Sequence, residues 1–219
     1  MLVESEGIVL RQVKILKGRS MVVLFTEGMG KLSCGTNIGQ GRKGNNPLGV
    51  RPFTRGNYSI ASVNMRDKSY YNIKSCEVID SYYSFGEDYD RFSGASIALE
   101  ITDKLLIEEA PVPEVYGLLS TFLDMMETRT KSHLTLTVAY TLKLLQNLGV
   151  FPDKENFNDD SLLLNADSDI INRLIFILEN PLARLGNLAI DSSSEKRMLR
   201  LMLGFAERNL DIGSLKSDL

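Results

Sequence analysis

The spacing of the apolar residues changes once along this chain of 219 residues, near Tyr83. Before that point the apolar residues alternate with polar ones or form short β-branched runs between turn signals, a pattern typical of strands. After it they recur every three or four residues, as in amphipathic helices. The two patterns predict an α+β multidomain fold, with a β-barrel over residues 1–83 followed by an α-helical bundle domain over residues 84–219.

The first region is predicted to contain five strands: GIVLRQVKIL (7–16), MVVLFTE (21–27), KLSCGTNI (31–38), FTRGNYSIASV (53–63) and YYNIKSCEVID (70–80). Short turns join most of them, and a long glycine-rich connection follows the third. Five strands in about 80 residues indicate a small barrel of the oligonucleotide-binding (OB) type. An SH3-like barrel is the alternative, because the pattern does not give the order of the strands.

The second region is predicted to contain five helices, joined in the middle by a polar connector over residues 151–161. Their Leu and Met stripes are interpreted as the core of the domain. The last helix is predicted to begin at the capping box Ser192-x-x-Glu195. The helices cover residues 93–110, residues 113–129, a stripe from Leu134 to Leu145, residues 168–179, and residues 192 to 209.

The charges are divided unevenly between the two regions, although the net charge of the chain is only −3. Residues 1–83 contain 12 Lys and Arg against six Asp and Glu, whereas residues 84–219 contain 13 against 22. A basic barrel joined to an acidic helical domain indicates that the barrel faces an anionic partner, for which a polyphosphate backbone is the natural candidate.

The segment GQGRKGNNPLG (39–49) has the glycine spacing of a dinucleotide-binding turn and the frame of a phosphate loop. Both kinds of site need a helix to begin within the motif, and here prolines and glycines lead into another strand. Asn45 and Asn46 also stand where a phosphate loop has its Lys and its Ser or Thr. We interpret the segment as a flexible basic loop and expect no nucleotide cofactor.

The candidate DNA-binding residues are cations and tyrosines of the barrel region. The cations cluster around the first turn, after the GMG turn and on the glycine loop. The tyrosines are candidates for stacking on unpaired bases, although a single tyrosine in such a region is more often a barrel residue. The set consists of Arg11, Lys14, Lys17, Arg19, Lys31, Arg42, Lys43, Arg51 and Arg55, together with Tyr58, Tyr70 and Tyr71.

Catalytic and metal chemistry find little support in the sequence. His133 is the sole histidine, and Cys34 and Cys76 are too far apart in sequence to suggest a metal site. Both cysteines are expected to be free thiols, because the N-terminus lacks the apolar stretch of a signal peptide. We therefore expect a protein that is not an enzyme, with no bound metal and no membrane-spanning segment.

The order of these features resembles that of the bacterial recombination mediator RecO family. In the barrel region the similarity lies in G-I-V-L (7–10), in V-x-L-F-T-x-x-x-G-K (22–31) and in the basic loop that leads to P-F (52–53). In the helical region it lies in ASIALEITDKLL (95–106), LLQNLGVFPD (144–153) and the closing segment with L-K-S (215–217). Many members carry a zinc-ribbon-like insert of four cysteines after the third helix. Residues 153–170 contain no Cys or His, so the chain resembles the zinc-free members.

The resemblance implies an SOS-independent recombination mediator that responds to DNA damage. Such a protein binds single- and double-stranded DNA through its barrel, anneals complementary strands and helps to load recombinase onto strands coated by single-strand-binding protein. The implied partners are RecR and the C-terminal tail of single-strand-binding protein, and the implied location is the cytoplasm, at the nucleoid. The tail is expected to bind the helical domain, where Lys143 and Arg200 are the candidate cations.

A second class of function is an interaction module whose basic barrel binds an acidic protein segment rather than DNA. The uneven charge distribution fits both classes equally well, and only the family resemblance favours DNA.

Overall fold

The computed structural model describes residues 2–15, 20–36, 38, 47–65, 68–159, 161–164 and 166–209. Within them, five strands precede six α-helices. The strands are β1 (Leu2–Lys14), β2 (Ser20–Thr26), β3 (Gly30–Thr36), β4 (Arg55–Met65) and β5 (Lys68–Asp80). The helices are α1 (Tyr89–Leu105), α2 (Pro113–Thr128), α3 (His133–Asn147), α4 (Ser161–Leu164), α5 (Ser168–Glu179) and α6 (Ser192–Asn209).

The five strands form a closed barrel in the order β1-β2-β3-β5-β4. The β3–β5 pair is parallel and short, and the other pairs are antiparallel. The predicted OB-type barrel followed by a helical domain is thereby confirmed. Inward-facing apolar side chains fill the barrel, among them Val22 and Leu24 of β2 and Leu32 of β3. Full burial of one such side chain contributes about 1.5–3 kcal/mol to stability.

The chain divides into two compact units that separate after residue 83, where the division was expected, but a later segment of the chain joins the first unit. The first unit joins Met1–Tyr83 to Leu106–Tyr116, and the second joins Ser84–Leu105 to Gly117–Leu219. Leu106–Tyr116, which we call the returning segment, lies in the region that the sequence pattern gave to the helical domain. A single boundary at residue 83 therefore does not account for how these residues pack.

The returning segment is held to the barrel by backbone pairing with β3 and by side-chain packing. The Glu109 N–H donates to the Lys31 carbonyl at 2.9 Å, so that the backbones of Lys31 and Glu108 form a parallel β-bridge. At its other end, the Tyr116 ring packs edge-on against Phe25, with ring centroids 5.5 Å apart. The segment thus adds one more extended piece beside the first half of β3.

Helix α1 is shorter than predicted because its last residues join this pairing. The helical pattern continues to Ala110, but α1 ends at Leu105. Pro111 and Pro113 follow closely, and a residue before proline is disfavoured in helical conformation. Pro113 then opens α2, at a first-turn position where its missing N–H costs no hydrogen bond.

The core of the helical unit lies around α3, which is buried along most of its length. It packs against α1, α5 and α6. His133, the first residue of α3, is buried rather than at the surface, and its Nε2 lies 3.0 Å from the Arg129 carbonyl oxygen. None of the helices in the described ranges is both long and apolar enough to cross a membrane.

The start of α6 differs in detail from the predicted capping box. Asp191 rather than Ser192 caps the helix, since its Oδ1 accepts the Ser194 N–H at 2.9 Å. Glu195 accepts a hydrogen bond from the buried Thr135 hydroxyl instead of returning to the cap. The polar connector also contains more structure than predicted, with a 3-10 helix at Lys154–Asp159 followed by α4.

Candidate nucleic-acid interface

Arg11 and Lys14 are exposed on a part of β1 that extends beyond its pairing with β4. The β1–β4 register ends where Ile8 faces Arg55. The β1–β2 register continues to Lys14 opposite Ser20, with an irregularity just before Arg11. A bulge of this kind increases the local twist of a strand. Among the described residues, β1 beyond Ile8 is therefore paired with a strand on one side only, with β2, and the two cations lie on this edge.

Arg51 is brought to the same edge of β1 by a turn that docks on this strand. The Val9 N–H donates to the Thr54 carbonyl at 2.9 Å, and the Phe53 N–H donates to the Val9 carbonyl at 2.9 Å. Phe53 is buried with a φ of 75°, and Arg51 before it is exposed. Because Val9 is two residues before Arg11, this docking places two predicted cations at neighbouring positions. We call Arg11, Lys14 and Arg51 the basic edge.

Arg55, by contrast, is a half-buried residue at the start of β4, opposite Asp80 of β5. It influences Tyr116 of the returning segment, whose hydroxyl donates to Glu6 Oε1 at 3.0 Å. Burial raises the pKa of Tyr116 most, Glu6 raises it further, and the positive charge of Arg55 opposes both. This cation therefore has a role inside the barrel unit.

Lys31 and Tyr71 lie beside acidic residues of the returning segment. Lys31 is half-buried, and its backbone pairs with that of Glu108 in a β-bridge. The Ser33 hydroxyl donates to Glu108 Oε1 at 2.6 Å. Tyr71, also half-buried, packs against the barrel core. Burial raises the pKa of Tyr71 most, and the negative charge of Glu109 adds to the rise. These two candidates share their surroundings with carboxylates.

Tyr70 has the exposure that base stacking requires. Its side chain is 57% exposed, and it faces Val63, which is 56% exposed, across the β4–β5 pair. Leu2 pairs with Ala61, two residues before Val63, and residues two apart in a strand share a face. Tyr70 thus stands on an outward apolar surface of the barrel, where an unpaired base could stack on its ring.

Tyr58 belongs to the barrel core, so the prediction that it stacks on bases is wrong. Its side chain has no exposed surface, and its hydroxyl donates to the Gly49 carbonyl at 2.9 Å. Tyr58 and Ile60 both point inward on β4, and this alternation was the sequence signal for burial.

Four predicted cations lie outside the described residues: Lys17, Arg19, Arg42 and Lys43. The two candidates in the helical unit differ from each other. The Lys143 ammonium donates to the Leu178 carbonyl at 2.6 Å, near the end of α5, and burial lowers its pKa. Arg200 is exposed on α6.

No group of three or more His, Cys, Asp and Glu residues suited to holding a metal ion occurs in the part of the chain that the structure describes. Cys34 is a buried free thiol of the barrel core, and Cys76 is a half-buried one. Burial, and after it the negative charge of Glu108, raises the pKa of Cys34 to about 12. At neutral pH this thiol is protonated and a poor nucleophile.

Two acidic residues on the barrel face, Glu108 and Glu109, were not predicted from the sequence. Glu108 and Glu109 were expected at the end of a helix and not beside a strand of the barrel. The available signal was the pair of prolines after them, which indicates an extended segment rather than a helix end.

The geometry defines a class of protein: a small OB-type barrel with exposed cations on one strand edge, followed by a helical domain. Comparison with known proteins places it further. The family model described as "Recombination protein O N terminal" matches residues 1–82, and the model described as "Recombination protein O C terminal" matches residues 86–156. The chain belongs to the RecO family, as its sequence motifs predict.

Curated relatives named "DNA repair protein RecO" agree with this assignment. The chain is 29% identical over 152 residues to the protein of Alkaliphilus metalliredigens, which covers 69% of this chain and 60% of the relative. It is 30% identical over 152 residues to that of Clostridium acetobutylicum, covering 68% and 58%. It is 28% identical over 156 residues to that of Streptococcus equi subsp. zooepidemicus, covering 71% and 57%. The chain thus spans about three fifths of the length of the curated relatives it matches.

Proposed function

We propose that this chain is a non-enzymatic recombination mediator in DNA repair, which binds single- and double-stranded DNA through its barrel. The observation that carries the proposal is the basic edge. Arg11, Lys14 and Arg51 are exposed, and a docked turn brings Arg51 next to the strand that bears the other two. Exposed cations on a strand edge can contact phosphates without reading the bases.

The mechanism follows from the charges. Phosphates neutralised by the barrel release condensed counterions, which favours binding at low salt and makes it nearly independent of sequence. Two strands held this way repel each other less, and their base edges stay available for pairing. The barrel would thereby promote annealing, with Tyr70 as the residue that stacks on an unpaired base.

The acidic helical unit is proposed to serve proteins rather than DNA. Its partners would be RecR and the C-terminal tail of single-strand-binding protein, and the tail would be recognised through its carboxylates. Arg200 is the stronger of the two candidate cations for this role. Lys143 already donates to a backbone carbonyl, whereas the Arg200 side chain is exposed. Such contacts would bring the mediator to coated strands, where it helps to load recombinase.

The proposal is tested by fluorescence anisotropy with a labelled single strand of about 35 nucleotides, long enough for an OB-type site, at several salt concentrations. Log affinity should fall with log salt by about 0.7 for each phosphate neutralised. Arg11→Glu/Lys14→Glu should weaken binding at least about tenfold and lower the slope. The matched control is Lys196→Glu/Arg197→Glu, which reverses two exposed cations of α6. Salt-independent binding, or an equal loss in both variants, would contradict the proposal.

One observation favours the alternative, a barrel that binds an acidic protein segment: the barrel unit already holds its own carboxylates beside Lys31. A competition experiment separates the two functions. The interaction module would be favoured if an acidic peptide displaces the oligonucleotide and binds more tightly than the oligonucleotide at equal salt. An oligonucleotide that binds more tightly than the peptide would favour the DNA mediator.

A further inference from the structure

The returning segment places two negative charges on the surface of the barrel, beside β3. Glu108 and Glu109 are both exposed, and both lie beside the first half of β3. With Glu114, which is also exposed, the segment adds three carboxylates and no cation to the barrel unit. The surface of the unit is therefore less uniformly basic than residues 1–83 alone indicate.

This acidic segment is a fixed part of the barrel unit. Its backbone pairs with β3 through the Glu109 N–H, and Ser33 holds the Glu108 carboxylate at 2.6 Å. Leu106 and Tyr116, at its two ends, are only 4% and 5% exposed. Gly30 has a φ of 73°, and a Cβ added there would collide with the Ala110 carbonyl group. These contacts fix the backbone of the segment and the Glu108 carboxylate in place.

The reach of these charges can be compared with the length of β3. Lys31, beside Glu108, is five residues from Thr36, which corresponds to about 17 Å along a strand. Thr36 pairs with Ser20, and Ser20 pairs with Lys14 of the basic edge. The Debye length at physiological salt is about 8 Å. The carboxylates therefore repel a phosphate beside Lys31 strongly, and their effect near Lys14 is largely screened. Arg11 lies opposite Val23, which pairs with Ser33, so it is about 10 Å from Ser33 across two strands and the effect there is weakened but not lost.

We propose that Glu108 and Glu109 form an acidic boundary that keeps phosphates away from the first half of β3, and so confines bound DNA to the side of the barrel that carries the basic edge. This inference rests on the proposed function, since it concerns the path of DNA on that surface. It makes the two glutamates specificity-determining residues that limit how many phosphates the barrel neutralises. Lys31 is then a weaker DNA contact than its charge alone indicates.

The test is the anisotropy titration with Glu108→Gln/Glu109→Gln. At about 0.1 M salt, single-strand affinity should rise by about threefold to tenfold, and the gain should shrink as salt screens the charges. If the opened surface takes up another phosphate, the salt slope steepens by about 0.7. Lys31→Ala should lower affinity more in the Glu108→Gln/Glu109→Gln protein than in the wild type, because only there can a phosphate approach this side chain.

Two control variants separate local charge from other effects. Glu4→Gln/Glu77→Gln removes the same net charge from β1 and β5 of the barrel unit, and affinity should rise less than twofold or so, because those charges lie away from β3. Ser33→Ala removes the hydrogen bond to Glu108 but leaves both charges in place. Ser33→Ala should leave DNA affinity unchanged. If the gain in Glu108→Gln/Glu109→Gln came from loosening of the segment, Ser33→Ala would raise the affinity as well.

The outcomes distinguish this inference from the proposed function. Salt-sensitive binding by the wild type together with the selective gain supports both. Salt-sensitive binding with no gain in Glu108→Gln/Glu109→Gln, or with an equal gain in Glu4→Gln/Glu77→Gln, overturns the acidic boundary alone. If neither the wild type nor Glu108→Gln/Glu109→Gln binds DNA at low salt, both are overturned.

Discussion

Two cations of the barrel unit and two of the helical unit have opposite environments. In the barrel unit, Arg11 and Lys14 are exposed on a strand whose backbone groups are paired with β2. In the helical unit, Arg129 is only 8% exposed, and Lys143 donates to a carbonyl near the end of α5. Helix ends and loops leave carbonyl groups without backbone partners, and long cationic side chains can satisfy them. The number of cations in a region therefore does not by itself identify a binding surface.

Arg129 shows most clearly how the helical unit uses its cations. Its guanidinium donates to four backbone carbonyls, those of Lys131, Ser132, Gly186 and Leu188. Burial lowers its pKa, and the negative charge of Glu195 opposes that effect. The side chain thereby ties the turn between α2 and α3 to the loop before α6. A cation so fully engaged within the protein has few donors left for a ligand.

The largest expected effect comes from removing this link. Arg129→Met keeps much of the side-chain volume but leaves the four carbonyls without their charged donor, so the helical unit should lose about 3 kcal/mol or more of its free energy of unfolding. Urea denaturation followed by circular dichroism measures the loss. The matched control is Arg197→Met, because the exposed ion pair of Arg197 with Asp167 contributes at most about 1 kcal/mol. Equal losses in the two variants would contradict the contrast between buried and exposed cations.

A smaller effect is expected from a substitution that tests whether the returning segment belongs to the barrel. Gly30→Ala places a Cβ against the Ala110 carbonyl group at a φ that side chains rarely adopt, and should destabilise the barrel unit by about 1–3 kcal/mol. Gly28→Ala is the matched control in the same turn, since a Cβ there meets nothing within 4 Å. Thermal unfolding compares the two. If Gly30→Ala is as stable as Gly28→Ala, the segment does not pack on β3.

The smallest predicted effect concerns alkaline pH. Burial raises the pKa of Cys34 in the folded barrel to about 12, whereas the unfolded thiol ionises near its ordinary pKa of 9.0. Between these values the unfolded state loses its proton first, so the free energy of unfolding falls as pH rises, by about 1.4 kcal/mol per pH unit for this group. Cys34→Ala should remove this part of the slope in urea denaturations at pH 8, 9 and 10. Parallel slopes for Cys34→Ala and the wild type would show that the thiol does not titrate this way.

The strands and most helices could be predicted because their signals are local. Residues two apart in a strand, such as Leu32 and Cys34 of β3, lie on the face that packs in the core. Residues four apart in a helix, such as Ile97 and Ile101 of α1, do the same. The strand order could not be predicted, since the short parallel β3–β5 pairing joins residues far apart in sequence.

The candidate site was only partly predictable, for a related reason. The exposure of the basic edge follows from its place at the end of β1, beside a turn signal. The position of the acidic boundary does not follow from local sequence, because the helical pattern continues through Leu106. Its pairing with β3 also requires Gly30, which is distant in sequence and has no side chain to collide with Ala110. Nothing near Arg129 in the sequence indicates the carbonyls of Gly186 and Leu188 that it satisfies.

The central claim, that DNA binds the barrel and not the helical unit, is tested most directly by photocrosslinking. A single strand of about 35 nucleotides that carries photoreactive bases would be crosslinked to the full chain at low salt, and the modified peptides identified by mass spectrometry. The account predicts crosslinks on β1, β2 and the β4–β5 pair near Tyr70, all lost at high salt, and few on Glu108 and Glu109. Crosslinks confined to residues 117–209, with the barrel unmodified, would contradict it.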